Sequence, residues 1–241
     1  MTPRSPIAAL PTLLAAVLVA ACAGPAATLP THELEALRAD SLRALPPTEP
    51  GPFRDSDLVE VVTLDPTVRL DVRYATDDNL LHWPVYGEAR VFLQRPAAEA
   101  IVRAHRALQP HGYGLLLFDG YRPWYVTRIF WYAVPPEARA YVADPEQGSR
   151  HNRGCAVDLS LYDLATGSEV AMPSGYDDFS ERAHPDHAGG TAAQRAARDL
   201  LRQTMEAEGF TVNEREWWHY DCPDWQQYRI HNVAFKDIGA R

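Results

Sequence analysis

The run Glu216-Trp217-Trp218-His219-Tyr220 places two ionisable side chains among three large aromatic ones. Aromatic residues are buried on average, so this segment is predicted to lie in the core. Burying a carboxylate or an imidazole costs free energy unless the group is paired or bound to a metal ion. The segment therefore predicts either a buried salt bridge between Glu216 and His219 or a metal site in which His219 is a ligand.

His151 and Asp158 add a histidine and a carboxylate seven positions apart. On a straight strand, an odd offset points two side chains to opposite faces. On a helix they share a face, but about 10 Å of rise separates them. A shared ion therefore requires a bend between them, and Gly154 supplies a flexible point for it. Taken alone, the pair also fits a structural hydrogen bond.

Together, His151, Asp158 and His219 form a set of two nitrogen ligands and one oxygen ligand. A three-residue set leaves a fourth position for water, as in catalytic rather than structural zinc sites. Glu216 is then free to act as general base on that water. The same ligand types also suit the non-haem iron of oxygenases. The spacing of His151 and Asp158, together with Glu216, favours zinc.

The segment Phe118-Asp119-Gly120-Tyr121-Arg122-Pro123 puts an arginine directly after an apolar strand and a turn. From there the guanidinium of Arg122 can bind a carboxylate or a developing oxyanion. An ion pair with Asp119 inside a rigid turn explains the same residues equally well.

Helices and strands alternate without a regular βαβ rhythm, which predicts a single α+β domain with a mainly antiparallel sheet flanked by helices. Helices are predicted at 96–108, 124–134 and 191–208, the last capped by Thr191. Strands are predicted at 58–64, 68–72, 113–118, 156–161, 210–212 and 217–220. Histidines without a partner pattern, His105 among them, are expected at the surface or as caps.

Residues 1–21 are predicted to be a signal peptide, because an apolar run from Ile7 to Ala21 follows a basic start. The run is too short to span a bilayer. The residues before Cys22 resemble the lipobox of bacterial lipoproteins, which makes Cys22 the expected lipidation site and membrane anchor. A plain secretory signal is the alternative. In both cases the protein is expected to be exported, to the periplasm or the cell surface.

Residues 22–56 are expected to form a tether. A short helix at 31–45, with Leu34, Leu37, Leu42 and Leu45 on one face, precedes a stiff proline-rich stretch. The catalytic domain is expected at 57–241.

The formal net charge of −9 argues against nucleic acid as a partner, because phosphate binding needs a basic face. Cys155 and Cys222 remain once the leader is removed. In an oxidising compartment, two such cysteines fit either a disulfide or a pair of buried thiols.

Four motifs, in this order along roughly residues 57–222, resemble those of the VanX-type D-alanyl-D-alanine dipeptidases, a branch of the zinc D,D-peptidases. The motifs are Asp71-Val72-Arg73-Tyr74-Ala75-Thr76, Phe118-Asp119-Gly120-Tyr121-Arg122-Pro123, Ser149-x-His151-x-x-Gly154-x-Ala156-x-Asp158 and Glu216-Trp217-Trp218-His219-Tyr220.

The resemblance implies one Zn²⁺ per chain held by His151, Asp158 and His219. It also implies that Glu216 is the catalytic base and that Arg122 stabilises the oxyanion of the transition state.

Three further residues match family positions that line the substrate cavity, namely Tyr74, Ser149 and Asp177, the last near the substrate ammonium. The loop leading to Asp177 departs from the family pattern, because Pro173 stands where glycine is usual.

The implied activity is hydrolysis of the D-Ala-D-Ala dipeptide to free D-alanine, in a closed pocket that binds both ends of the dipeptide. One alternative is a D,D-carboxypeptidase or endopeptidase acting on peptidoglycan stem peptides, which needs an open cleft. Another is a non-catalytic lipoprotein that binds the cell wall.

Overall fold

The computed structural model describes residues 29–239. The predicted signal peptide and the lipidation site Cys22 lie outside the described residues. Within the described part, no helix is both long enough and apolar enough to cross a membrane.

Helices and strands are intermixed along the described chain. In chain order they are α1 (Thr31–Arg43), β1 (Leu58–Glu60), α2 (Val61–Leu64), β2 (Arg69–Leu70), β3 (Phe92–Gln94), α3 (Arg95–Leu108), β4 (Tyr113–Asp119), α4 (Trp124–Ala133), β5 (Ala156–Asp163), α5 (Ala192–Ala207), β6 (Thr211–Val212) and β7 (His219–Asp221).

A five-stranded sheet in the order β2-β4-β5-β7-β6 forms the centre of the domain. The β2–β4 pairing is parallel, and the other three pairings are antiparallel. β1 and β3 form a separate antiparallel pair. The prediction of an α+β domain with a mainly antiparallel sheet is therefore confirmed.

The helices cover the sheet with the apolar faces that their sequence periodicity predicts. α3 buries Ala97, Ile101, Ala104 and Leu108, whose spacing of three to four residues places them on one face. α5 begins with a capping box in which Thr191 accepts a hydrogen bond from the Gln194 backbone N–H and the Gln194 side chain accepts one from Thr191. Such a cap contributes about 1 kcal/mol.

The predicted strand at 58–64 is wrong in its second half. Only Leu58–Glu60 pairs with β3, and Val61–Leu64 forms a helical turn. The Asp65 backbone N–H closes this turn on the Val61 carbonyl. Val61 is fully buried, so this β-branched residue fills the core from a turn rather than from a strand.

Helix α1 packs against the domain through residues of the segment expected to be a tether. Leu34 is 2% exposed, and Ser41 accepts a hydrogen bond from Arg128 of α4 at 2.9 Å. Leu42 and Leu45 are 55% and 85% exposed, so the predicted apolar face does not extend to them. Glu49, beyond the helix, accepts the Ile230 backbone N–H at 2.7 Å.

His105 is fully buried in α3, so its expected surface position is wrong. Its Nδ1 accepts the Leu115 backbone N–H at 3.0 Å, and its Nε2 lies 2.9 Å from the Thr67 hydroxyl. Both ring nitrogens therefore have partners in the neutral state, and burial lowers the pKa of His105.

Candidate metal centre and active site

Strand register brings Asp119, Asp158 and His219 into one row across the sheet. Asp158 is the cross-strand partner of Asp119 on one side and of His219 on the other. Directly opposed residues on adjacent strands have close side chains. The row therefore places two carboxylates and one imidazole together at one edge of β4, β5 and β7.

His151 reaches this row from a tight turn that precedes β5. Residues His151–Arg153 form one turn of 3₁₀ helix, and Gly154 follows with φ of +68°. A Cβ atom on Gly154 would lie 2.5 Å from the Leu58 side chain, so only glycine fits this position without rearrangement. The bend that a shared ion requires is thus present at Gly154.

His151, Asp158 and His219 are buried, and their ligand atoms lie within 4.8 Å of one another. The His151 Nε2 atom is 3.2 Å from His219 Nδ1. The Oδ1 atom of Asp158 is 3.5 Å from His151 Nε2 and 3.0 Å from His219 Nδ1. The structure therefore brings together the three residues predicted to bind the metal.

The hydrogen bonds around these residues fit a metal ion. His151 Nδ1 lies 2.7 Å from the Gly120 carbonyl oxygen, and His219 Nε2 lies 3.1 Å from Asp221 Oδ1. Both partners are acceptors, so these nitrogens carry protons, and when the rings are neutral their other nitrogens turn lone pairs toward Asp158. Asp158 Oδ1 is buried without a hydrogen-bond partner. Lone pairs without protons that converge in this way match a divalent cation.

The Asp158 carboxylate is also held from its other side. Its Oδ2 atom accepts a hydrogen bond from the Tyr176 hydroxyl at 3.1 Å. In the metal-free site, burial opposes the charge on His219, but Asp158 and Asp221 outweigh burial and raise the pKa of His219. Burial likewise favours the neutral acid of Asp158, but the charge and the hydrogen bonds of His151 and His219 outweigh it and hold the pKa of Asp158 below its usual range. The residue is therefore an anion, as a metal ligand must be.

Glu216 lies beside this group, in the segment that leads into β7. Its Oε2 atom is 3.7 Å from His219 Nδ1. The two residues that separate Glu216 from His219 in the sequence, Trp217 and Trp218, are both buried. Burial raises the pKa of Glu216, an effect that His219 partly offsets. A carboxylate with a raised pKa next to a metal site is suited to accept and release a proton.

Arg122 forms the ion pair with Asp119 that was one of the two roles considered for it. Its Nε and Nη2 atoms donate to Asp119 Oδ2 at 2.9 and 2.7 Å, and Asp119 also accepts the Tyr86 hydroxyl at 2.7 Å. Nη2 lies 3.9 Å from Asp158 Oδ2. The ion pair with Asp119 thus orients a guanidinium that borders the metal site.

Tyr74 and Asp177 meet opposite this guanidinium. The Tyr74 hydroxyl donates to Asp177 Oδ2 at 2.9 Å, so Asp177 reaches the site despite Pro173 in the preceding loop. Asp177 has φ of +58°, an uncommon backbone conformation for a non-glycine residue. Burial and the charge of Asp158 raise the pKa of Asp177 to about 8.

A cavity of about 650 Å³ is lined by all eight residues that the sequence assigns to the catalytic site. Ser149 belongs to its wall, and its hydroxyl accepts the His151 backbone N–H at 3.2 Å. The predicted site residues in the cavity wall are Tyr74, Arg122, Ser149, His151, Asp158, Asp177, Glu216 and His219.

Sequence reasoning missed Asp221 and Tyr176, which contact His219 and Asp158. The contact of Asp221 with His219 could have been predicted from the sequence, because the two residues are two positions apart in a strand and share one face. That of Tyr176 could not, since it reaches Asp158 from a loop 18 residues away.

Cys155 and Cys222 are joined in a disulfide, with Cα atoms 5.1 Å apart. The sequence left this pairing open. The bond lies one position beyond the β5–β7 ladder, whose last paired residues are Ala156 and Asp221. It therefore links the two chain segments that carry the three predicted ligands.

Comparison with known proteins gives one consistent result. A peptidase M15 family model, described as D-ala-D-ala dipeptidase, matches residues 54–237. The D-alanyl-D-alanine dipeptidase of Escherichia coli (strain K12) is 33% identical over 175 residues, which cover 73% of this chain and 89% of that protein. That of Enterococcus faecium is 37% identical over 178 residues, covering 65% and 87%. That of Streptomyces coelicolor is 36% identical over 171 residues, covering 64% and 85%.

Proposed function

Since the chain belongs to the peptidase M15 family of D-Ala-D-Ala dipeptidases, we propose that it hydrolyses the D-alanyl-D-alanine dipeptide with Zn²⁺ held by His151, Asp158 and His219. The observation that carries the proposal is the convergence of two imidazole nitrogens and one carboxylate oxygen in a cavity that is also lined by Glu216 and Arg122. A bound zinc ion supplies a Lewis acid and lowers the pKa of a coordinated water toward neutrality.

Glu216 is the proton carrier of the proposed reaction. Its carboxylate takes the proton of the attacking water and passes it to the amine that leaves from the cleaved peptide bond. The raised pKa of Glu216 suits the first half of this transfer, because a stronger base accepts the proton more readily than an ordinary carboxylate does.

Arg122 is the proposed partner of the charge that develops on the carbonyl oxygen. Asp119 holds the guanidinium by two hydrogen bonds, so its orientation is fixed before substrate binds. Preorganised donors of this kind lower the barrier because they do not have to reorganise during the reaction.

Asp177 and Tyr74 are proposed to bind the ammonium group of the dipeptide. With a pKa of about 8, the Asp177 carboxyl is largely neutral at pH 7 in the empty cavity. A bound ammonium group favours its ionised form. An acidic group beside the scissile bond therefore selects substrates with a free amino terminus, and a longer peptide has an amide there instead.

The decisive experiment measures release of D-alanine by the purified, zinc-loaded protein from D-Ala-D-Ala and from a pentapeptide ending in D-Ala-D-Ala. We expect cleavage of the dipeptide alone, and its loss in Glu216→Gln, which keeps the shape of the side chain and removes the base. Cleavage of the pentapeptide would instead show a carboxypeptidase. Binding of peptidoglycan fragments with no cleavage of either peptide would show a non-catalytic binding protein.

We propose further that the protein is exported and anchored to the membrane through a lipid on Cys22. The apolar run that ends next to this cysteine supports the proposal. Labelling of cells with a radioactive fatty acid should mark the wild-type protein, and Cys22→Ala should abolish both the label and membrane association.

A further inference from the structure

Asp221 is a buried carboxylate at the end of β7 that the proposed reaction does not use. It is 4% exposed. It lies on the same face of the strand as His219, and its Oδ1 atom is 3.1 Å from His219 Nε2. This bond sits on the side of the imidazole ring opposite the nitrogen that faces Asp158.

Arg150 forms an ion pair with the other oxygen of Asp221, through its Nη1 atom. Arg150 directly precedes the predicted ligand His151 in the sequence, and its guanidinium lies over the Trp225 ring at 4.8 Å. The side chain of Arg150 is 45% exposed, whereas that of Asp221 is 6% exposed. The ion pair therefore connects the turn that carries one ligand with the strand that carries another.

We infer that Asp221 and Arg150 are positioning residues for the metal site. Asp221 keeps the proton of His219 on Nε2 and fixes the plane of the ring, so that Nδ1 is left free for the metal. Arg150 holds Asp221 in place and ties the turn of His151 to the end of β7. This inference rests on the proposed zinc site, and it assigns to the pair a role in metal retention.

The physical basis is the effect of an outer carboxylate on a histidine ligand. A neutral imidazole has two tautomers, and only the tautomer protonated at Nε2 offers Nδ1 to a metal. A carboxylate that accepts the Nε2 proton selects this tautomer and makes Nδ1 a stronger donor. A carboxylate as buried as Asp221 needs a cationic partner, and Arg150 is that partner.

The test is the zinc dissociation constant, measured without substrate by competition with a chromogenic chelator. Loss of an outer-sphere partner of a metal ligand typically weakens affinity about 10- to 100-fold. We expect a loss of about this size in Asp221→Ala. We expect a smaller loss in Asp221→Asn, whose amide oxygen can still accept the Nε2 proton.

Arg150→Ala should also weaken zinc binding. Because Arg150 acts through Asp221, adding Arg150→Ala to Asp221→Ala should cause little further loss. Additive losses in the double variant would contradict this coupling.

The Arg54–Asp224 pair, whose carboxylate is three positions after Asp221, is a matched control. Its guanidinium and carboxylate are 2.8 Å apart, and both side chains are nearly half exposed. Arg54→Ala and Asp224→Asn make similar changes in charge but remove no bond to a histidine, so zinc affinity should not change. The melting temperature of each metal-free variant shows whether it is folded.

Wild-type zinc affinity in a folded Asp221→Asn or Asp221→Ala protein would overturn the inference. If Asp221→Ala does not fold, Asp221→Asn and the half-exposed Arg150→Ala decide the matter. The outcome is separate from that of the proposed reaction. If the wild-type protein binds zinc but leaves D-Ala-D-Ala intact, the proposed reaction is refuted. The zinc affinities of the variants would still show whether Asp221 and Arg150 position the metal site.

Discussion

Asp158 and His219 are direct cross-strand partners, and the Asp158 Oδ1 atom lies 3.0 Å from His219 Nδ1. The sheet itself therefore sets the distance between two of the three proposed ligands. Sites built on paired strands hold their geometry more closely than sites on loops. His151 is the ligand that comes from a turn, and its position depends on the bend at Gly154.

Replacing Asp158 by asparagine should remove the metal, because a neutral amide is a much weaker zinc ligand than a carboxylate. We expect the wild-type protein to carry about one zinc ion per chain and Asp158→Asn to carry almost none, measured by elemental analysis after dialysis. Asp163→Asn, at the far end of the same strand, should retain its zinc. Full zinc content in Asp158→Asn would show that the ion binds elsewhere.

Replacing Arg122 by lysine should lower kcat while changing KM little. Lysine keeps the charge but cannot make the two hydrogen bonds to Asp119 that orient the guanidinium. Removal of a donor to a developing oxyanion typically costs about 100- to 1000-fold in kcat. Arg73→Lys, at an arginine paired with Asp71, is a suitable control. A rise in KM at constant kcat would assign Arg122 to substrate binding instead.

Asp177→Asn should stabilise the metal-free protein in a pH-dependent way. The pKa of Asp177 is about 8 in the fold, so wild-type stability falls as the pH rises from about 4 to about 8. The variant lacks this loss, and its advantage should grow by up to about 5 kcal/mol by pH 8, since a shift of about four pKa units corresponds to about 1.4 kcal/mol per unit. Denaturant unfolding across this pH range measures the difference. If the unfolding free energies of the two proteins changed with pH in parallel, the raised pKa of Asp177 would be refuted.

Leu34→Ala should destabilise the protein although it lies outside the family match. Leu34 is buried in α1, and truncation of a buried leucine costs about 2–5 kcal/mol. Leu45→Ala changes a side chain that is 85% exposed and should be neutral. Equal unfolding free energies for the two variants would show that α1 contributes little to stability.

The long periodic elements and the cluster of three candidate metal ligands could be predicted from the sequence. Helix α3 and strand β4 have clear apolar periodicity, and their predicted bounds differ from the observed ones by one residue at most. The grouping of His151, Asp158 and His219 followed from ligand chemistry and from the family resemblance, and burial was predicted only for His219. Val61–Leu64 was predicted wrongly, since four apolar and β-branched residues fit a strand as well as a buried turn.

The features that the sequence did not predict depend on contacts between segments that are distant along the chain. Tyr176 and Asp119 reach the site through a loop packing and a strand register that single-sequence periodicity does not encode. The buried state of His105 depends on Thr67, which is 38 residues away. The pairing of Cys155 with Cys222 likewise follows from the alignment of β5 with β7, which only the fold supplies.

The packing of α1 has a consequence for how far the enzyme can reach. If Cys22 carries the proposed lipid, eight residues separate it from Thr31, where α1 begins. Fully extended, this stretch spans on the order of 30 Å, far less than a free segment up to residue 56 would allow. The catalytic domain would then stay within about this distance of the membrane surface, and its substrate would have to diffuse to it there.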